Sequence, residues 1–257
     1  MHCTPINFAA TLRASILCSL LCASLATAAA APAAAEKPQA ITLAPYAWLP
    51  NLTGSVGIGG LNVPLQLRAT QLFSDVQAGG MGYCRWQKGD RFIYLDGIFI
   101  DFSAKSFGPF FGQSVLAGLR FGELGVGMQR RIGVLGQESV LALYGGAHYT
   151  RIRASVTGEF LNAASVDRWI DPVIGMVWEM PLAGRLSLTA KVDGAGFGVT
   201  RNHYYSGLAV LEYRISRRAA LAAGYRWSSA HYVSSDGLGF TLEGQGPMLG
   251  LRYILLR

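Results

Sequence analysis

From about residue 40 onward, apolar positions alternate with polar or small ones at a period of two. That is the spacing of β-strands whose two faces meet different surroundings. Over 186–193, Leu186, Leu188, Ala190 and Val192 share one face, and Ser187, Thr189, Lys191 and Asp193 the other. Over 219–228, Leu221, Ala223, Tyr225 and Trp227 oppose Ala220, Ala222, Gly224, Arg226 and Ser228. Over 170–180, Ile170, Pro172, Ile174, Met176, Trp178 and Met180 oppose Asp171, Val173, Gly175, Val177 and Glu179. Over 247–255, Pro247, Leu249, Leu251, Tyr253 and Leu255 oppose Met248, Gly250 and Arg252. Extended segments are predicted near 41–58, 61–68, 77–87, 91–104, 114–131, 139–156, 168–180, 186–198, 204–215, 219–232 and 242–255. The segment at 61–68 contains Pro64 and follows Gly59-Gly60, so it reads as a small hairpin in the first outer loop, followed by a short turn over Ala69–Val76. About ten strands remain, with eight or twelve as the alternatives, since single-chain bacterial barrels have even counts.

The polar faces decide between two kinds of β protein. A soluble sandwich or lipocalin-like barrel also alternates, but its polar face is the wet one and should be crowded with Lys, Glu, Thr and Asn. Here that face holds Gly and Ala with isolated charges, which suits a narrow lumen. The apolar faces end in Trp, Tyr and Met, which suits lipid and its interfacial girdle. Short turns at 88–90, 132–138, 183–185 and 216–218 alternate with longer connections at 107–112, 159–167, 200–203 and 234–239, as periplasmic turns and outer loops do. The predicted fold is all-β, a transmembrane antiparallel up-and-down β-barrel.

The composition agrees once the N-terminus is set aside. Charged residues are 14%, against roughly 25% in ordinary soluble domains. There are 32 glycines in 257 residues, and mean hydropathy is +0.30. Residues 1–35 carry one formal charge, Arg13, then an apolar stretch from Ala14 to Leu25, then small residues. This is the plan of a signal peptide, with cleavage expected after Ala28 or Ala35, and residues 36–257 form a single barrel domain. Cys3, Cys18 and Cys22 leave with it, so Cys84 remains alone and forms no internal disulfide. The net charge of +7 becomes +6, with 21 basic groups against 15 acidic. Beyond residue 36 no uncharged apolar run reaches the length of a membrane-spanning helix. An exported apolar chain without such a helix has the closed barrel as its membrane solution.

Several runs resemble a family of Gram-negative outer-membrane β-barrels of uncharacterised, porin-like or OmpA-like type. Ala44-Pro45-Tyr46-Ala47-Trp48-Leu49-Pro50, with Leu52 and Gly54, looks like its first strand. Leu95–Ser103 is similar to its "LDGIYLDLS" strand, Trp169–Gly175 to "WVDPFVG", Val192–Val199 to "GDVGGFGVG", and Gly246–Leu251 to the closing "GPLLGL". The resemblance covers nearly all of the chain after the leader and implies an outer-membrane location. It supplies no catalytic residues. Such barrels commonly end on Phe, read by the barrel assembly machinery. Here Leu255 stands at that spacing, with Leu256-Arg257 beyond it.

The inward faces are predicted to carry Arg85, Asp96, Glu123, Lys191, Asp193, Glu212, Arg214, Arg226 and Arg252, with Glu179 nearby. Opposite charges in a narrow lumen should pair, since unpaired ones are costly there. The first expectation is therefore a structural or interaction barrel with a charged, largely plugged lumen. A narrow channel for small solutes or ions is the second. Asp96 and Asp101 differ in parity, so Asp101 is placed on the outer rim unless a bulge at Gly97 intervenes. Arg151, Arg153, Arg168 and Arg201 cluster at predicted outer strand ends, where lipopolysaccharide phosphates are the expected partners. Arg130, Arg131, Arg185, Arg217 and Arg218 fall in predicted periplasmic turns. The loop Phe107-Gly108-Pro109-Phe110-Phe111 is an exposed aromatic contact candidate.

A lipid A acyl hydrolase is the enzymatic alternative, but the chain is not expected to be an enzyme. His203 and Ser206 have opposite parity, and nothing in the spacing of His148, His231, Ser229 and Ser234 demands a triad. No cofactor or metal is expected. The glycine runs do not lie on a strand-to-helix turn, so they are no phosphate loop. Dispersed charge in an exported chain argues against nucleic-acid binding. The oligomeric state stays open.

Overall fold

The computed structural model describes residues 39–256, apart from 59–60, 72–75, 106–113, 135–136, 158–161, 198–201 and 234–238. The leader at 1–35, the loop at 107–111, Arg201 and Ser234 therefore lie outside the described residues. Twelve strands make one antiparallel sheet. They are β1 (Gln39–Trp48), β2 (Asn51–Ile58), β3 (Leu61–Leu67), β4 (Val76–Lys88), β5 (Arg91–Lys105) and β6 (Ser114–Val134), then β7 (Gln137–Thr157), β8 (Asn162–Pro181), β9 (Leu186–Ala195), β10 (His203–Arg214), β11 (Ala219–Val233) and β12 (Gly239–Leu256). β1 pairs with both β4 and β12, so β1 and β4–β12 close into a ten-stranded barrel. β2 and β3 form an extra hairpin; the segment expected at 61–68 supplies its second strand, while its first comes from 51–58, which the sequence reading joins to the first strand.

The hairpin and the barrel seam share one strand. β12 pairs with β1 from Leu256 to Met248, then with β2 from Gln245 to Gly239. The break between β1 and β2 falls at Leu49-Pro50, where Leu49 N still donates to Pro247 O at 3.0 Å. Proline has no N–H to continue a ladder, which is why the strand interrupts there. Pairing of β1 with β4 ends at Pro45 opposite Gly82. After β3 the chain makes a helical turn at 69–71 in place of the plain turn expected, and Ala69 N donates to Asn51 Oδ1 at 2.9 Å. No helix among the described residues is long and apolar enough to cross a membrane.

Burial follows strand parity. On β5, Phe92, Tyr94, Asp96 and Ile98 are buried while Arg91, Ile93 and Leu95 are exposed. The outward face keeps large apolar groups bare: Ile170 is 65% exposed, Leu249 61% and Leu143 60%. Water does not favour such a surface, but hydrocarbon does. On β6 the outward apolar positions Leu124, Val126 and Met128 lie between Arg120 and Arg130. Ten residues at about 3.3 Å each, tilted about 40°, give a band about 25 Å tall, the height of such belts.

Inside, aromatic rings lie over glycines of the next strand. Tyr94 faces Gly125, Phe92 faces Gly127 and Tyr144 faces Gly175 in register. A Cβ on Gly125 or Gly175 would stand 2.3 Å from the tyrosine ring. These three glycines therefore make room for lumen rings. At the outer end, Trp169, Tyr232 and Phe240 stack, with Trp169 and Tyr232 centroids 4.0 Å apart, and the Tyr232 hydroxyl donates to Asp167. Short turns close the other end at Gly89 and Gly184, whose φ values of 63° and 61° suit glycine.

Several strand ends differ from the sequence reading, those of β8 and β9 among them. β8 starts at Asn162 rather than 168, because β7 and β8 keep pairing out to Thr157 opposite Asn162. β9 stops at Ala195 rather than 198, because Gly196 turns away with φ 90° while its N–H donates to Pro172 O at 3.2 Å.

Gly175→Val forces Tyr144 out of its place and should lower unfolding stability by about 1–3 kcal/mol. Gly122→Val, where a Cβ meets nothing within 4 Å on the outward face, should leave it unchanged. Denaturant unfolding of the folded barrel, followed by tryptophan fluorescence, checks both.

Candidate functional site

The register sets four polar residues side by side on the lumen wall. Asp96 of β5 faces Glu123 of β6, Glu123 faces His148 of β7, and His148 faces Asp171 of β8. All four are buried. Adjacent carboxylates repel, and a narrow lumen screens them poorly. Cations from the opposite wall answer them. Lys191 Nζ of β9 lies 2.9 Å from Glu123 and 3.0 Å from Asp193. Arg226 of β11 lies 3.6 Å from Asp96. His148 Nδ1 stands 3.5 Å from Glu123, and its ring stacks on Tyr204 with centroids 4.3 Å apart.

Hydroxyl groups complete this belt. Tyr46 donates to Asp96 at 2.8 Å, Tyr144 to Asp193 at 3.0 Å, Ser206 to Asp193 at 2.7 Å, and Tyr94 to Glu123. Arg226 donates to Tyr46 Oη at 3.1 Å and to Tyr204 Oη at 3.4 Å. The sequence reading places charges in the lumen but none of these tyrosines. Their role depends on which strand positions face one another across the barrel.

A second tier lies towards the short turns. Arg85 pairs with Glu179 at 2.9 Å, donates to Gln129, and lies over the Phe92 ring at 4.1 Å. Arg252 Nε lies 2.7 Å from Glu212. Arg131 and Glu138 pair at 3.1 Å with both side chains largely in solvent, so that pair is worth little. Nine of the ten expected lumen charges thus meet an opposite charge. Arg214 is the correction: it shares the inward parity but lies exposed at the end of β10, without an ion pair among the described residues. It sits too near the strand end for the lumen to enclose it.

A cavity of about 540 Å³ occupies this half of the lumen. Tyr46, Tyr94, Asp96, Lys191 and Arg226 bound it on the side of the belt, and Arg131, Glu138 and Ile254 on the side of the short turns. No cluster of three or more potential metal ligands occurs among the described residues. His203 and Ser206 are not brought together: His203 is exposed opposite His231, and Ser206 is buried on Asp193. His231 Nδ1 is 2.9 Å from Thr241 Oγ1, and the His231–Thr241 pair is on the outward face.

On the rim, the strand pairing from Asp96 to Asp101 runs unbroken past Gly97. Asp101 therefore faces outward, 4.0 Å from Arg120. Arg151 and Arg168 are direct cross-strand partners, and Arg153 lies two residues further out on β7. Arg201 lies outside the described residues.

No family model matches the sequence, and neither does any curated protein sequence. Among solved structures, the fold matches the outer-membrane protease OmpT of Escherichia coli with a TM-score of 0.51. Identity is 15%, over 87% of this chain and 99% of that one. Ail, the attachment invasion locus protein of Yersinia pestis, matches with a TM-score of 0.37 at 11% identity, over 86% of this chain and 100% of that one. Neisserial surface protein A matches with a TM-score of 0.33 at 11% identity, over 83% and 96%. The OmpT likeness establishes the fold as that of a Gram-negative outer-membrane β-barrel. At such identity it carries no activity across.

Lys191→Met leaves Glu123 and Asp193 without their cation and should cost about 3–5 kcal/mol of stability. Ser206→Ala removes one donor from Asp193 and should cost about 1–3 kcal/mol. Urea unfolding from lipid vesicles measures both, and near-equal midpoints for wild type and Lys191→Met would contradict a paired belt.

Proposed function

We propose that this chain is an integral outer-membrane barrel whose lumen is closed by its own side chains, and that it serves there as a structural or interaction protein. The observation that carries this reading is the belt in which Lys191 and Arg226 cross from β9 and β11 to Glu123, Asp193 and Asp96. Opening a water path through it would separate buried, hydrogen-bonded charges, at several kcal/mol for each pair broken. The belt is fixed to ten mutually paired strands, so no mobile plug domain is needed to hold it.

The second reading is a narrow channel for small solutes or ions, favoured by the cavity of about 540 Å³ below the belt. Its lining carries both signs, which argues against strong ion selectivity. A lipid A acyl hydrolase ranks third. The two faces of β10 keep His203 and Ser206 apart, and a serine hydrolase needs them within hydrogen-bond reach. The barrel assembly machinery is the partner expected during insertion, reading the end of β12 around Leu255.

In planar bilayers the wild-type protein should show no discrete conductance steps, while an Asp96→Ser/Arg226→Ser variant should show them. Steps from wild type would replace the plugged reading with the channel. Heat-modifiable gel mobility confirms that each sample is folded. Lipid A acylation should be the same in cells with and without the protein, and loss of an acyl chain would restore the enzymatic reading.

A further inference from the structure

Three arginines stand in one row on the outward face near the outer end of the barrel. Arg120 of β6 faces Arg151 of β7, and Arg151 faces Arg168 of β8, all in direct register. Each has outward parity: the buried positions are Glu123 on β6, His148 and Thr150 on β7, and Asp171 on β8. Directly opposed side chains on neighbouring strands are about 5 Å apart, and like charges there destabilise the sheet. Arg153 lies on the same face of β7, two residues further out.

Little on the protein offsets this charge. Asp101 lies 4.0 Å from Arg120, and both are about half exposed. Asp167, next in sequence to Arg168, has inward parity and accepts the Tyr232 hydroxyl. Among the described residues no other ion pair reaches Arg120, Arg151, Arg153 or Arg168. The row is also confined to one sector. Among the described residues at the outer ends of β10–β12, the outward positions include His203, His231, Thr241 and Glu243 and no arginine. Charge placed only to wet the rim would have no reason to gather on three neighbouring strands.

The wall beneath the row has a matching shape. Gly82 of β4, Gly97 of β5 and Gly122 of β6 are cross-strand partners with outward parity. A Cβ on Gly82 or Gly122 would meet nothing within 4 Å. They form a shallow trough in the apolar wall, and Tyr149 and Ile170 continue the same register on β7 and β8. Arg120 is held beside the trough, with its guanidinium 4.6 Å from the Phe99 ring centroid.

We propose that Arg120, Arg151 and Arg168 bind the phosphate of an anionic outer-leaflet lipid, with part of its acyl region in the trough of Gly82, Gly97 and Gly122. This rests on the outer-membrane placement proposed above and names the rim partner more closely. Guanidinium forks grip phosphate oxygens in pairs, so adjacent arginines can share one phosphate. The row stands about 25 Å above Arg130 along β6, at the edge of the apolar band, where a lipid phosphate lies. Arg120, not singled out in the sequence, becomes a member of the site because the register places it opposite Arg151.

The test measures binding of bisphosphorylated lipid A, dephosphorylated lipid A and inorganic phosphate to the folded protein in detergent micelles. Wild type should bind bisphosphorylated lipid A in preference to the other two. Arg120→Gln/Arg151→Gln/Arg168→Gln should weaken that binding about tenfold or more. Arg130→Gln/Arg217→Gln/Arg218→Gln, with equal charge removed at the other end, should change it less than about twofold. Arg151→Gln alone, a surface change at the centre of the row, should give an intermediate loss and covers the case in which the triple variant fails to fold. Gly122→Leu should weaken lipid A binding and leave inorganic phosphate unaffected. Equal losses in both triple variants, or none in either, would overturn the site. Displacement of lipid A by an equal concentration of inorganic phosphate would make it a simple anion site and overturn the lipid assignment. Heat-modifiable mobility is scored in parallel: wild type lacking the shift would overturn the barrel placement, whereas a shifted wild type indifferent to lipid A would overturn this inference alone.

Discussion

Asp96 and Glu123 are direct neighbours on β5 and β6, with Asp171 beyond His148 on β8, and that crowding of acid on one wall needs an answer from the other. Lys191 and Arg226 supply it from β9 and β11. An open sheet could not use this solution, because the two walls would not face each other. Closure of the barrel and neutralisation of its interior are thus coupled. The tyrosines and Ser206 then satisfy lone pairs that the cations leave over, as a buried network requires. The aromatic-over-glycine contacts serve the same end, since Tyr94 and Tyr144 reach their carboxylates only where Gly125 and Gly175 leave room.

The face of a strand residue was legible from parity alone. Lys191, Asp193, Arg226 and Arg252 were placed in the lumen by alternation, and Asp101 was placed on the rim because it breaks parity with Asp96. Depth along the barrel was less legible. Arg214 has the right face but stands at the strand end, where solvent reaches it. Partnership was least legible, because it depends on the stagger between strands far apart in sequence. Nothing local in Tyr46 indicates that it will meet Asp96 and Arg226, which lie 50 and 180 residues away. The arginine row follows the same logic: the sequence places Arg151 and Arg168 near strand ends, and only register brings Arg120 into line with them.

The outer surface is uneven around the barrel. Among the described residues the β6–β8 sector gathers arginine, while the β10–β12 sector carries His203, His231, Thr241 and Glu243. The inside of the outer mouth differs again, with Trp169, Tyr232 and Phe240 stacked across it. The described rim is thus directional, with different chemistry on different sectors of the same barrel.

The double duty of β12 bears on how the chain is assembled. One strand of 18 residues zips to β1 along one half and to β2 along the other. It is also the last strand of the sheet in sequence. Neither the seam nor the first hairpin can meet its native neighbour until that strand is available. Until then two long edges stay unpaired, as does the outer side of β2, each a template for pairing with another chain. The barrel is thus most exposed to aggregation in the step just before β12 docks.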